Sequence, residues 1–162
     1  MTGRHMIYRI FLSHSSADAM WVKWIAENLG TVGIQAYLYE HDPQPGTSIA
    51  GKVKAAIQRS DALVVLLTGS SQFSAYVQQE IGFAEATAKL VIPLVQPGLH
   101  RSSLAMLEGR EYIPFNFRNP HQALGTLLSH LQRLKEVKEN QRAVLLVVGT
   151  IVVGALLFGK KG

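Results

Sequence analysis

The 162-residue sequence predicts an α/β fold in which a parallel β-sheet carries helices on both faces. Three observations lead there. Short apolar runs alternate with amphipathic stretches along the chain. One run, ALVVLLT at 62–68, is unbroken by polar residues, as a strand buried on both faces must be. The length suits one domain with a proper core and is too short for two.

The elements follow in order. IYRIFL (7–12) reads as the first strand, and the stretch rich in Trp, Val and Ile at 19–29 as the first helix. IQAYLY (34–39) is the second strand, followed by a helix near 48–59. ALVVLLT is the third and central strand, and the helix after it holds YVQQEIGFAEA, 76–86. LVIPLV (90–95) and EYIPF (111–115) are later strands. A last helix starts at Asn119-Pro120, a capping residue followed by proline at the first helical position, and is expected to run to about 140. No internal repeat or low-complexity linker interrupts the series.

Residues 143–159, AVLLVVGTIVVGALLFG, hold no charge, and Thr150 is their one polar side chain. A helix of this length covers roughly 25 Å, slightly short of the ~30 Å hydrocarbon core, and flanking Arg142, Lys160 and Lys161 can snorkel to make up the difference. The expectation is a single membrane span; a buried helix or a Val-rich strand of the core is the competing reading. The step from domain to tail falls around 138–142, giving a domain at 1–142 and a transmembrane tail at 143–162. MTGRHMIYRIF lacks the apolar stretch and cleavage site of a signal peptide, so residues 1–142 are expected in the cytoplasm, with the tail as a single-pass anchor in the cell membrane.

Composition removes several functions. With no cysteine, neither a disulfide framework nor a thiolate metal site is possible, and the six histidines are scattered without HExxH spacing. No metal is expected. The net charge of +5 invites an anionic partner, but Arg133, Lys135, Lys138 and Arg142 gather ahead of the apolar tail, where a bilayer surface explains them better than nucleic acid does. GTSIAGKV at 46–53 nearly reproduces a phosphate-binding loop, yet Val53 stands where a magnesium-binding hydroxyl is required. GxGxxG and GxSxG are both absent, which excludes a Rossmann-type dinucleotide fingerprint and a nucleophile elbow.

One helix poses a specific question. At helical spacing Val77, Ile81, Ala84 and Ala88 form an apolar stripe, and Tyr76, Glu80 and Phe83 form the row beside it. A carboxylate beside a packing row ordinarily turns to solvent. In an open α/β sheet, however, ligands bind at the carboxyl ends of the strands where the strand order reverses. For the order 2-1-3-4-5 that point brings SHSSAD (13–18) to face GSSQFS (69–74), and Glu80 follows the second loop. Both loops are dense in hydroxyls, which also serve as plain helix caps, and Ser16 or Asp18 would then do nothing else.

The residues also resemble a known family. IFLSHSSAD after a first strand, a DPQPG loop after the second, SDALVVLLT as the third strand and S-x-Y-V-x-x-E opening the next helix are similar to a Toll/interleukin-1 receptor (TIR) domain of the bacterial kind, over about residues 7–140. The resemblance implies a flavodoxin-like five-stranded sheet of order 2-1-3-4-5. It further implies an NAD+ glycohydrolase that releases nicotinamide and gives ADP-ribose or a cyclic ADP-ribose. Glu80 matches the catalytic Glu of the family's WxxxE pattern, with Tyr76 in place of the Trp as an aromatic wall. Ser13, His14, Ser15 and Ser16 are implied contacts to the dinucleotide, and Glu40 or Asp42 stands in for an Asp often found after the second strand. Pro45 and Gly46, in the loop from Glu40 to Thr47, are implied self-association residues of a homo-oligomer acting in a defence or cell-death response. NAD+ is then a substrate, and no cofactor is expected.

Two other classes compete. One is a non-catalytic signalling adaptor acting through TIR–TIR contacts, in which Glu80 is silent. In the other, assembly clusters the spans and the tail itself perturbs the bilayer.

Overall fold

The computed structural model describes residues 6–39, 46, 48–100, 107 and 109–158. The elements are β1 (Tyr8–Ser13), α1 (Ala19–Thr31), β2 (Ile34–Tyr37), α2 (Ile49–Arg59), β3 (Ala62–Leu67), α3 (Ala75–Ala86), β4 (Leu90–Val95), β5 (Ile113–Pro114) and α4 (Pro120–Phe158), with a 3-10 turn at Ser16–Asp18 ahead of α1. The strands form one parallel sheet in the order β2-β1-β3-β4-β5. This is the order anticipated from the sequence.

Burial follows position in the sheet. All six residues of the central β3 are buried, whereas β2, at one edge, alternates buried and exposed. The core on the α2–α3 face gathers Phe11, Ile57, Leu63, Val65, Val77 and Ile81. Right-handed crossovers leaving β1 and β3 in opposite directions put α1 and α3 on opposite faces of the sheet. On the α1 face, the ring of Trp21 meets Phe115 edge-on with centroids 5.8 Å apart. Helix starts are set by hydroxyls: Ser48 Oγ accepts from Gly51 N at 3.1 Å, and Ser74 Oγ from Val77 N at 3.4 Å.

Three expectations need correction. The strand expected at 111–115 is reduced to Ile113–Pro114. Ala88 does not continue the apolar stripe of α3, because the helix ends at Ala86 and Ala88 takes a left-handed φ of 53° outside it. The last helix does not stop near 140: α4 continues through Phe158. Nothing in KENQRAVLL breaks it, since Lys, Glu, Gln, Arg, Ala and Leu all favour helix and no Gly or Pro intervenes.

Residues 7–128 form one compact unit containing the whole sheet, α1–α3 and the first turns of α4, in which Ala123, Leu124 and Leu127 are buried. From Ser129 onward α4 belongs to a second unit. The apolar tail is helical rather than a strand, and its described apolar side chains are exposed, Leu145 and Leu157 at 71% each. Its one hydroxyl is satisfied locally, Thr150 Oγ1 donating to Leu146 O at 2.7 Å. Among the described residues, no helix is long and apolar enough to cross a membrane.

Candidate functional site

The site is built where β1 and β3 end side by side. Ser13 is the last residue of β1, paired with Val65 of β3, and is 1% exposed. Its hydroxyl donates to Glu80 Oε2. Glu80 lies in the second turn of α3, where the burial of Val77, Ile81 and Ala84 fixes the rotation of the helix. That rotation turns Glu80 toward the end of β1 rather than to bulk water. Burial pushes its carboxyl up from 4.5 to about 7, while the hydrogen bond from Ser13 pulls the other way. Desolvation therefore dominates.

Glu80 opens onto a cavity of about 720 Å³ at the carboxyl ends of the strands, lined also by His14, Ser15, Ser16, Lys23 and Tyr76. Its apolar floor comes from Phe11, Val22 and Tyr39. A second hollow of about 230 Å³ lies between α2 and α3, walled by Ile57 and Phe83, and Glu80 and Tyr76 line this one too. The carboxylate thus stands where two hollows meet.

The two hydroxyl-rich loops are locked together by a buried acid. Asp18 Oδ2 accepts from Ser15 Oγ at 2.7 Å and from Thr68 Oγ1 at 2.8 Å. Thr68 Oγ1 in turn accepts from the backbone N–H of Ser70 and Ser71 at 3.1 and 3.2 Å. Ser71 Oγ accepts from Thr68 N at 2.7 Å and donates to Leu66 O at 2.8 Å. Every one of these buried polar atoms finds a partner, as burial requires. His14 is held by Nδ1–H donating to Leu12 O at 3.0 Å, since a carbonyl oxygen can only accept.

The structure brings together most of the residues singled out from the sequence. Glu80, His14, Ser15, Ser16 and Tyr76 all line the larger cavity. Ser13 does not line it; its hydroxyl is committed to Glu80 behind the wall. Tyr76 is 73% exposed, so its ring forms the rim and not an enclosed wall. Asp18 stands at the N-cap of α1 without a side-chain capping bond and reaches across to Thr68, just past the end of β3, instead. Gly46 is exposed with φ +84°, a conformation that suits glycine. Glu40, Asp42, Pro45 and Thr47 lie outside the described residues. Among the described residues, no group of three or more His, Cys, Asp or Glu is placed to hold a metal ion.

Sequence reasoning passed over Lys23 and Thr68. Lys23 is one of several polar positions in a Trp-containing helix, and Thr68 follows directly on an apolar strand. Neither belongs to a motif, and only the fold gives them neighbours.

A doubly wound parallel sheet with its hollow at the switch point between β1 and β3 defines a flavodoxin-like α/β protein. Residues 10–128 match the TIR domain family, and the chain belongs to that family. It is 29% identical to human Toll-like receptor 1 over 101 residues, spanning 58% of this chain and 13% of the receptor. Among solved structures, it is similar to the TIR domain of the Toll-related receptor TRR-2 from Hydra magnipapillata, with a TM-score of 0.61, 15% identity and coverage of 76% of this chain and 97% of that one. It is also similar to the CMP N-glycosidase BcmB of Clostridium botulinum, with a TM-score of 0.55, 19% identity and coverage of 74% and 97%. At these identities the structural likenesses establish the fold.

Proposed function

We propose that this TIR domain is an NAD+ glycohydrolase that breaks the bond between nicotinamide and ribose. The observation that carries the reading is the Glu80 carboxylate, held by Ser13 at the junction of two hollows. Nicotinamide leaves as a neutral base from a ring that already bears positive charge, so no strong general acid is needed. The ribose passes through an oxocarbenium-like state, and a carboxylate beside it stabilises the developing charge. Low local dielectric strengthens that interaction and also raises the carboxyl toward 7, so the reactive form is the ionised one above that pH. Attack by water gives ADP-ribose; attack by a group within the substrate gives a cyclic product. The CMP N-glycosidase supports the reading, because it breaks a bond of the same type on a similar fold.

The proposal includes a place and an assembly. The exposed apolar side chains of Val144, Leu145, Leu146, Val147, Ile151 and Leu157 support a membrane tether over residues 143–159, and the reading places the TIR domain on the cytoplasmic side. Tyr76 at the cavity rim, 73% exposed, and Phe73 in the loop ahead of α3, 78% exposed, offer large rings for a neighbouring TIR domain to cover, in a homo-oligomer serving a defence response.

Incubating the full chain in lipid nanodiscs with NAD+ and separating the products tests the reading: nicotinamide with ADP-ribose or a cyclic isomer is expected. Unchanged NAD+ at every protein concentration, in nanodiscs that bring several copies together, leaves a docking module in its place. Deleting 143–162 should preserve cleavage, while an effector tail would lose its action altogether.

A further inference from the structure

The reading above requires the larger cavity to accept a diphosphate, which brings two negative charges into a hollow that already contains a carboxylate. Among the described residues lining it, the lysine or arginine is Lys23. Its placement is not incidental. Ser15 and Ala19 line the same cavity, and Lys23 lies four residues beyond Ala19 on α1, so the three share one face of the chain as it enters the helix. The burial of Val22, Ile25 and Leu29 fixes the rotation of α1 and leaves Lys23 exposed at the edge of the cavity, where its long stem can reach inward. Glu80 enters from α3, on the other face of the sheet. Cation and carboxylate therefore stand on opposite walls of one hollow.

We infer that Lys23 is the phosphate-binding residue of this site, holding the diphosphate of the substrate while the ribose beside nicotinamide lies against Glu80. The inference rests on the N-glycosidic reading. It also gives the substrate a direction: the nicotinamide ribose toward α3, the phosphates toward α1. Holding the phosphates at a distance from the reacting bond is a contact made equally in ground and transition states, so its loss acts on KM and leaves kcat nearly unchanged.

The test compares three substrates with the full chain in nanodiscs: NAD+, nicotinamide mononucleotide and nicotinamide riboside, which carry two, one and no phosphates. Lys23→Ala should raise KM for NAD+ about ten-fold, the size expected for one charge-assisted contact, with kcat within about two-fold. Nicotinamide riboside should be cleaved equally by both proteins, and Lys23→Arg should recover most of the NAD+ affinity. An equal loss on all three substrates, or no loss on NAD+, overturns the assignment. Calorimetric binding of ADP-ribose separates this inference from the reading it rests on. Weaker binding by Lys23→Ala than by wild type supports the phosphate contact even where nothing is cleaved, and equal or absent binding by both overturns it.

Discussion

The Ser13 hydroxyl at the end of β1 donates to the Glu80 carboxylate of α3, joining two residues 67 positions apart across the point where the strand order reverses. This contact settles which way Glu80 faces. A helix that buries Val77, Ile81 and Ala84 against β3 has a neighbouring row that overhangs the end of β1, and Ser13 is there to receive it. The arrangement sets a stabilising hydrogen bond against the larger cost of burying a charge.

That cost has a sign that stability measurements can read. The carboxyl titrates at about 7 in the folded chain and near its ordinary value of 4.5 when unfolded. Its contribution is therefore fully present below about pH 4.5 and is lost as pH rises through 7. Glu80→Gln carries no such penalty. Relative to wild type it should gain stability between pH 5 and pH 8, by about 1–2 kcal/mol after allowing for the partial exposure of the group. Denaturant unfolding of residues 7–128 at the two pH values checks this; a constant difference would show that Glu80 is not desolvated.

Ser13→Ala should move the midpoint of Glu80 further up, because the hydroxyl it removes favours the ionised form. The pH dependence of nicotinamide release would then rise at higher pH than in wild type. An unmoved profile would mean that Ser13 does not contact the carboxylate in solution.

Thr68→Val keeps the shape of the side chain and removes the donor to buried Asp18. It also removes the acceptor for two backbone N–H groups, so a loss of roughly 1–3 kcal/mol is expected. Amide exchange should increase in both the 13–18 and the 69–74 loops, since Asp18 ties one to the other. Exchange confined to the second loop would contradict that coupling.

Ala88 occupies a left-handed position after α3 that glycine fills without strain. Lys89 N donates to Ala84 O at 2.8 Å there, closing the helix end. Ala88→Gly should raise stability by about 0.5–1 kcal/mol with no change in activity, measured by thermal unfolding.

The sequence made the sheet legible because its signals are periodic and local. ALVVLLT, short, rich in Val and flanked by polar residues, reads as a strand buried on both faces, and the hydroxyl-rich loops fall on either side of the reversal once the order is assumed. Glu80 was legible as a candidate through its place beside the stripe, though its inward orientation was not, since that depends on Ser13 arriving from a distant strand. The role of Asp18 was hidden for the same reason: an acid ahead of a helix reads as a cap, and its bond to Thr68 spans 50 residues. Lys23 gave no signal at all, because one lysine in an amphipathic helix is ordinary until the fold opens a cavity beside it. The continuity of α4 past 140 was not legible, because the change in hydrophobicity near 143 suggests a boundary between two helices while nothing in the chain breaks the backbone there.

The most direct test is nicotinamide release from NAD+ by the full chain, followed from pH 5.5 to pH 9 beside Glu80→Gln. If the ionised carboxylate stabilises the ribosyl cation, the wild-type rate rises through a midpoint near 7, and the variant falls by about 10²-fold or more above that midpoint, with a smaller deficit toward pH 5.5. Equal rates in the two proteins, with the same dependence on pH, would contradict the account.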